Sequence, residues 1–450
     1  MKRVCLVVAP FVIALAALAP WRRSAGPAAT GLVIVTLDTT RADCLPAYGS
    51  RAVETPALDS LAATGVVFDS ATTVAPLTLP AHATLMTGLY PVHHGAREND
   101  QSLAAGATTL ASVLRGDGFR TAASVGSMIL LADRGIGRGF DTYRDDMGRS
   151  SEGLRARRPG NEVVDDAIGW LNTVTSERFF LWVHLYDAHQ PYHPSEPFAS
   201  RYPGMPYLAE IAFADAQIGR LVRALEARGL ARRTAVIVAA DHGEAMGDHG
   251  EEAHGLFVYD SVLHVPLIVR VPGIAARRVA DRVSLVDVMP TALELLGLPP
   301  RAIDGVSLRG PLTGGHLGAR TLYAESMYPL RFGWSALRSA RDARFKFIDA
   351  PRPELYDTDA DPGERRNLVE ARPAVARALA ATLAVAPTRA AESPLDDAAR
   401  ARLASLGYVS GTTSTQAPRP PVAPDPKDHV NEYNEKMRRS ACHPACKEQR

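Results

Sequence analysis

The stretch Leu32-Val33-Ile34-Val35-Thr36-Leu37 runs directly into Asp38-Thr39-Thr40-Arg41. An unbroken apolar, β-branched run of this length predicts a strand buried on both faces, as in a parallel sheet covered by helices. Ligands collect beyond the carboxyl ends of such strands, so Asp38 stands where chemistry is expected. A lone Asp in that position is more often a turn former or helix cap, and the case for Asp38 rests on the rest of the chain.

Working outward, the strand-like runs Arg120–Val125, Phe179–Val183 and Ala235–Ala240 alternate with the helical segments Ala57–Gly65, Thr109–Gly116, Asn161–Leu171 and Pro206–Arg228. In the last of these, Ile211, Ala214, Ile218, Leu221 and Leu225 recur with helical period and predict a core face. Strands alternating with helices predict an α/β fold with a large, mostly parallel central sheet flanked by helices. Short strands between Arg320 and Leu368 predict a smaller C-terminal α+β subdomain. With 450 residues, 46% of them hydrophobic, the chain has ample material for such a core. Fifty Lys and Arg against 49 Asp and Glu leave no basic surplus for a nucleic-acid partner.

Two further strand ends carry reactive side chains. Ala235–Ala240 leads into Asp241-His242-Gly243-Glu244, followed by Asp248, His249, Glu251 and His254, the densest set of metal-capable groups in the chain. The spacing is not that of a His-Glu-x-x-His zinc helix, and a solvated acidic loop is the bland alternative. Phe179–Val183 leads to His189-Gln190-Pro191-Tyr192, where His189 stands at a strand's carboxyl end beside a turn, although any one histidine here could be a satisfied structural group. Pro76-Leu77-Thr78-Leu79-Pro80-Ala81-His82 opens a helix that Gly88 ends. Proline in the first turn predicts Thr78 as its N-cap, with the hydroxyl beside orphan backbone donors where an anion would bind.

This last stretch resembles the signature of the sulfatases and their relatives in the alkaline phosphatase superfamily. Thr78 falls at the nucleophile position, Pro80-Ala81 and Thr87-Gly88 match, and His82 stands where most sulfatases have Arg. Those enzymes oxidise Cys or Ser to formylglycine, a maturation closed to Thr, whereas the related phosphoethanolamine and glycerol-phosphate transferases use an unmodified Thr. Asp38 and Asp241-His242 match the early and late metal motifs. Thr39 replaces a second early Asp, and its hydroxyl is the weak candidate ligand. His189 matches the His-x-Pro-Tyr segment, and His254 the substrate-side His of the Thr-using relatives. The Lys-x-His substrate clamp is replaced by Ser124-Val125-Gly126-Ser127.

The resemblance implies an alkaline-phosphatase-like catalytic domain over residues 31–310 and a C-terminal subdomain with helices over 311–410; past Gly411 the composition predicts a Pro/Ser/Thr-rich linker and tail over 411–450, with a short helix starting in the charged segment Pro426–Tyr433. It implies a metal-dependent hydrolase or transferase of phosphate or sulfate esters: Thr78, His189 and His254 catalytic, Asp38, Thr39, Asp241 and His242 around a dication. One imidazole among oxygens leaves zinc, manganese or calcium open. The substrate would be a small-molecule, glycan or lipid-headgroup ester. A true arylsulfatase using unmodified Thr and a non-catalytic binding relative are the alternatives. Met1-Lys2-Arg3, an apolar run to Pro20 and Trp21-Arg22-Arg23 predict a signal peptide or membrane anchor over residues 1–24, hence export and membrane association through the N-terminus. Cys5, Cys44, Cys442 and Cys446 make no disulfide framework.

Overall fold

The first strand, β1, covers Gly31–Leu37, and every residue of it is buried. The computed structural model describes residues 29–150, 153–154, 157–383 and 423–441; the predicted N-terminal segment, Cys5, Cys442 and Cys446 lie outside them. The remaining strands of the large sheet are β2 (Val66–Thr72), β3 (Arg120–Val125), β4 (Thr142–Arg144), β5 (Phe179–Leu185), β6 (Thr234–Ala240), β7 (Leu267–Arg270) and β8 (Arg277–Ser284). Their order is β8-β2-β7-β6-β1-β5-β3-β4. All ladders are parallel except the two made by β7, which runs antiparallel to β2 and β6. The expected mostly parallel sheet is therefore present, and β1 lies inside it.

That position explains the sequence pattern. A strand covered on both faces has no solvated side, so β1, β5 and β6 read as continuous apolar runs, each buried throughout. Register does the rest. Leu37 pairs with Leu185 on one side and Ala240 on the other. The three strands end level, so Asp38 and Asp241 emerge side by side.

Helices α1 (Pro56–Thr64), α2 (Thr78–Thr87), α3 (Leu110–Gly116), α4 (Gly160–Leu171), α5 (Pro206–Ala227) and α6 (Val288–Leu295) cover the sheet. In α3, Thr109 is the N-cap, its hydroxyl accepting the Ser112 N–H at 3.1 Å. Helix α2 corrects an expectation: Leu77 is the cap residue, in extended conformation, and Thr78 is the first helical residue. The Leu79 N–H that a Thr78 cap would have left to chance is accepted instead by Asn99 Oδ1, at 2.8 Å. All ten residues of α2 are buried, far more than an amphipathic surface helix would be.

A second, antiparallel sheet follows, with β9 (Leu322–Ser326), β10 (Leu337–Arg341), β11 (Phe345–Asp349) and β12 (Glu354–Asp357) in that order. It packs on α7 (Pro373–Leu383) through Ala340, Phe347, Leu355, Ala376, Leu379 and Leu383. The tail goes further than its composition indicates. Where the sequence predicts a short helix starting within Pro426–Tyr433, the helix α8 runs over Val430–Ala441 and packs on the large domain, with Tyr433 and Asn434 buried. No helix among the described residues is long and apolar enough to cross a membrane.

Candidate active site

Asp38, Asp241 and His242 converge at the ends of β1 and β6, their ligand-capable atoms all within 4.8 Å of one another. Asp241 Oδ1 accepts two backbone N–H groups, from Thr39 at 3.2 Å and from His242 at 2.7 Å. Its Oδ2 is left over, 3.5 Å from His242 Nε2, which also lies 3.9 Å from Asp38 Oδ1. His242 Nδ1 sits 3.0 Å from the Gly243 carbonyl, an acceptor only, so Nδ1 carries the proton and Nε2 presents a lone pair.

Both Asp38 oxygens, Asp241 Oδ2 and His242 Nε2 are sealed from water without a hydrogen bond of good geometry. Two carboxylates and an imidazole lone pair aimed at one another repel unless a cation stands between them. Burial pushes the Asp38 carboxyl above its ordinary pKa, and burial together with the Asp38 charge pushes Asp241 well above. Burial and the neighbouring His254 push His242 well below the ordinary imidazole value. These are donors waiting for a dication, and the residues fit one.

Two buried histidines brace this set. His184 Nε2 lies 3.4 Å from Asp38 Oδ2, and His82 Nδ1 lies 3.6 Å from Asp241 Oδ2. Both rings meet at Thr36, whose Oγ1 is 3.2 Å from His184 Nδ1 and 3.0 Å from His82 Nε2, and accepts the Trp182 indole N–H at 3.0 Å. Burial holds both imidazoles down at about 3, so they stay neutral. His82 thus fills the place of an arginine without its charge.

Thr78 enters from α2. Its carbonyl lies 2.7 Å from the same His82 Nδ1 that faces Asp241, and its side chain is near enough to the Asp38 carboxyl to favour the charged form against burial. The rings of His189 and His254 meet edge-on with centroids 5.0 Å apart, and His254 also lies tilted against His242 at 4.5 Å. Burial pulls the His254 imidazole down, but Glu244, 3.2 Å from its Nδ1, more than offsets this and leaves it raised. Burial drives His189 to about 3. One cluster of five neutral or carboxylate-paired histidines surrounds two aspartates.

Thr39 is not part of the convergence. Its φ of 47° turns the chain so that Oγ1 donates to the Ala188 carbonyl at 2.6 Å, and its contribution to the site is the backbone N–H on Asp241. The sequence reading missed three residues. His184 is the penultimate residue of β5, paired with Thr36 in the ladder, and reads as one more buried strand position. Asn99 holds the first turn of α2, and its buried Nδ2 lacks a hydrogen-bond partner beside the Thr78–Leu79 peptide. Arg157 pairs with Ser127 in an isolated bridge and reaches the His189 carbonyl at 3.5 Å, so a cation stands beside the segment that lacks the Lys-x-His clamp.

Residues 31–298 match the family model Sulfatase, and residues 247–385 match the model N-sulphoglucosamine sulphohydrolase, C-terminal. With more than half the chain inside the first match, this protein belongs to the sulfatase family, the ester hydrolases of the alkaline phosphatase superfamily. It is similar to the uncharacterized sulfatase YidJ of Escherichia coli (strain K12), 26% identical over 414 residues that cover 75% of this chain and 82% of the relative. Arylsulfatase K of Bos taurus is 25% identical over 438 residues, covering 79% and 81%. Among solved structures, the phosphonate monoester hydrolase of Agrobacterium radiobacter superposes with a TM-score of 0.66 at 24% identity, covering 78% of this chain and 94% of that one, a likeness of fold.

Proposed function

We propose that this chain cleaves a phosphate or sulfate ester by attack of the unmodified Thr78 hydroxyl, with Asp38, Asp241 and His242 holding a dication. The observation that carries the reading is the meeting of Thr78 with Asp38 and, through His82, with Asp241 at one buried point. A dication there lowers the cost of a Thr78 alkoxide and offsets charge on the ester oxygens. The imidazole among the donors favours zinc or manganese over calcium.

The residues divide the remaining work. Thr78 Oγ1, against the Asp38 carboxyl, forms the new bond to phosphorus or sulfur as the ester bond to the leaving oxygen breaks. Asn99 Nδ2, a buried donor without a partner, hydrogen-bonds a non-bridging oxygen. His254, kept protonated by Glu244, delivers the proton to the leaving oxygen, and His189 packs beside it. Water then releases the group from Thr78. With His82, His184 and His189 neutral, the site holds little fixed positive charge beyond the dication, Arg157 and the His254 imidazolium, which Glu244 offsets. That balance suits a substrate with one negative charge on the transferred group, as in a phosphodiester, a phosphonate monoester or a sulfate ester, over a dianionic phosphate monoester. Glycan, lipid-headgroup and small-molecule esters all fit this chemistry, and the charged–apolar–charged N-terminus supports an exported enzyme.

The test is a panel of aryl phosphodiesters, phosphonates, phosphate monoesters and sulfates, with and without added zinc or manganese, run on wild type, Thr78→Ser and Thr78→Ala. Activity on a monoanionic ester that survives partly in Thr78→Ser and vanishes in Thr78→Ala is expected, with a phosphate, phosphonate or sulfate adduct on Thr78 by intact mass. Full activity in Thr78→Ala would remove Thr78 as the nucleophile.

A further inference from the structure

The loop that carries His254 is held down by the far end of the chain. Helix α8 lies on residues 250–254 and makes three hydrogen bonds to it. Asn434 Nδ2 donates to the Gly250 carbonyl at 2.7 Å, Asn434 Oδ1 accepts the Glu252 N–H at 3.0 Å, and the Tyr433 hydroxyl donates to the carbonyl of His254 itself. One side chain thus reads a donor and an acceptor two residues apart, and the next fastens the backbone of the histidine. Tyr433 is fully buried, its ring packed edge-on against Tyr328 at 6.1 Å and Phe332 at 5.9 Å. Tyr328 also lies over Gly255, whose φ of 103° would strain any side chain and where an added Cβ would press Tyr328 at 3.3 Å. The approach to α8 is anchored as well: Ser335 N–H donates to the Pro424 carbonyl at 2.9 Å, and His429 stacks on Trp334 with centroids 4.8 Å apart.

The loop needs such a hold. It contains backbone that L residues rarely adopt, at Met246 (φ 54°), His249 (φ 53°), Gly247, Gly250 and Gly255, and it has no regular ladder of its own. From within, Glu251 accepts the N–H groups of Leu256 and Phe257, and Ala245 bonds Ala253. Helix α8 meets the N–H of Glu252 and the carbonyls of Gly250 and His254. A ring that must sit beside His242 and against Glu244 is therefore held in place by a helix whose bonds to the loop span 179 to 184 residues.

We propose that α8 is a working part of the active site, in which Tyr433 and Asn434 are positioning residues that set the His254 loop in its catalytic place. The inference rests on the role given to His254 above, and its two halves are read separately. In the full-length, metal-loaded enzyme, Tyr433→Phe deletes one hydroxyl from a buried ring and Asn434→Ala deletes both arms of the clamp. Each is compared with His254→Ala and with Glu435→Ala, which loses only an exposed partner of Arg439 on the same helix. Three quantities are measured on an aryl ester substrate and its more basic leaving-group analogues: kcat and KM, bound metal, and amide hydrogen exchange of residues 248–256.

The expected result is a kcat lowered about tenfold in Tyr433→Phe and more in Asn434→Ala, with KM and metal content at wild-type values. The loss should be larger for poorer leaving groups, exchange in 248–256 should quicken about tenfold, and Glu435→Ala should match wild type. A merely structural helix would instead lower metal content and raise KM in parallel, and that result overturns the proposal. Unchanged exchange with unchanged kcat overturns it too. Faster exchange in the clamp variants with full activity in His254→Ala would uphold the positioning of the loop and remove His254 from the chemistry.

Discussion

Thr39 and Asp241, two hundred residues apart in sequence, meet through the backbone of one and the side chain of the other: the Thr39 N–H donates to Asp241 Oδ1 at 3.2 Å. The bond occupies the carboxylate oxygen that faces the chain and leaves Oδ2 for the dication. Because an N–H does this and the hydroxyl is committed to Ala188, the side chain of Thr39 is dispensable for metal. Thr39→Ala should retain full metal content by elemental analysis, whereas Asp241→Asn, of nearly the same size, should lower dication affinity at least a hundredfold. Loss of metal in Thr39→Ala would return its hydroxyl to the ligand set.

Asn99 has two separable duties. Its Oδ1 accepts the Leu79 N–H in the first turn of α2, and its Nδ2 is free to meet an ester oxygen. Asn99→Ala loses both and should cost about 1–2 kcal/mol of stability along with turnover. Asn99→Asp keeps an acceptor for Leu79 but has no amide donor. Denaturant midpoints should therefore recover in Asn99→Asp while kcat stays depressed at least tenfold. Recovery of both would make Asn99 a cap and nothing more.

Glu251 supplies a pH signature. Burial pushes its carboxyl up to about 7 from the ordinary 4.5, against the pull of the Leu256 and Phe257 N–H groups. A carboxyl that holds its proton more tightly when folded costs stability as pH rises from the unfolded value to the folded one. At 1.36 kcal/mol per pKa unit this penalty approaches about 3 kcal/mol above pH 7. Glu251→Gln carries no such penalty. Its melting temperature relative to wild type should therefore climb between pH 5 and pH 8, even if the loss of one N–H contact sets it back at pH 5. A constant difference across that range would show that Glu251 titrates in the folded protein as it does in the unfolded one.

Much of the architecture was legible because burial leaves a local trace. Continuous apolar runs marked β1, β5 and β6, and the residues that follow them, Asp38 and Asp241-His242, are the ones the structure brings together. Parallel strands that end level must place their next residues side by side, so strand identity and motif position together carried the metal set. The reading was weaker wherever a residue's part depends on a partner. Thr78 had every local mark of a helix cap, but the acceptor for that turn comes from Asn99. Thr39 had the position of a ligand, but its left-handed backbone conformation turns the hydroxyl toward Ala188.

The sequence by itself determined the class of fold and the family, and it singled out Thr78, Asp38, Asp241, His242, His189 and His254 as the candidates for chemistry, since these depend on residue type and on periodicities that a few consecutive residues display. Tertiary structure alone decided that His82 and His184 brace the aspartates as neutral rings, that Asn99 guards the Thr78 turn, and that a tail of ordinary linker composition returns as α8 to seat the His254 loop. Those roles are hydrogen bonds between segments distant along the chain. Local pattern reports that a face is buried, and only the packed chain determines what buries it.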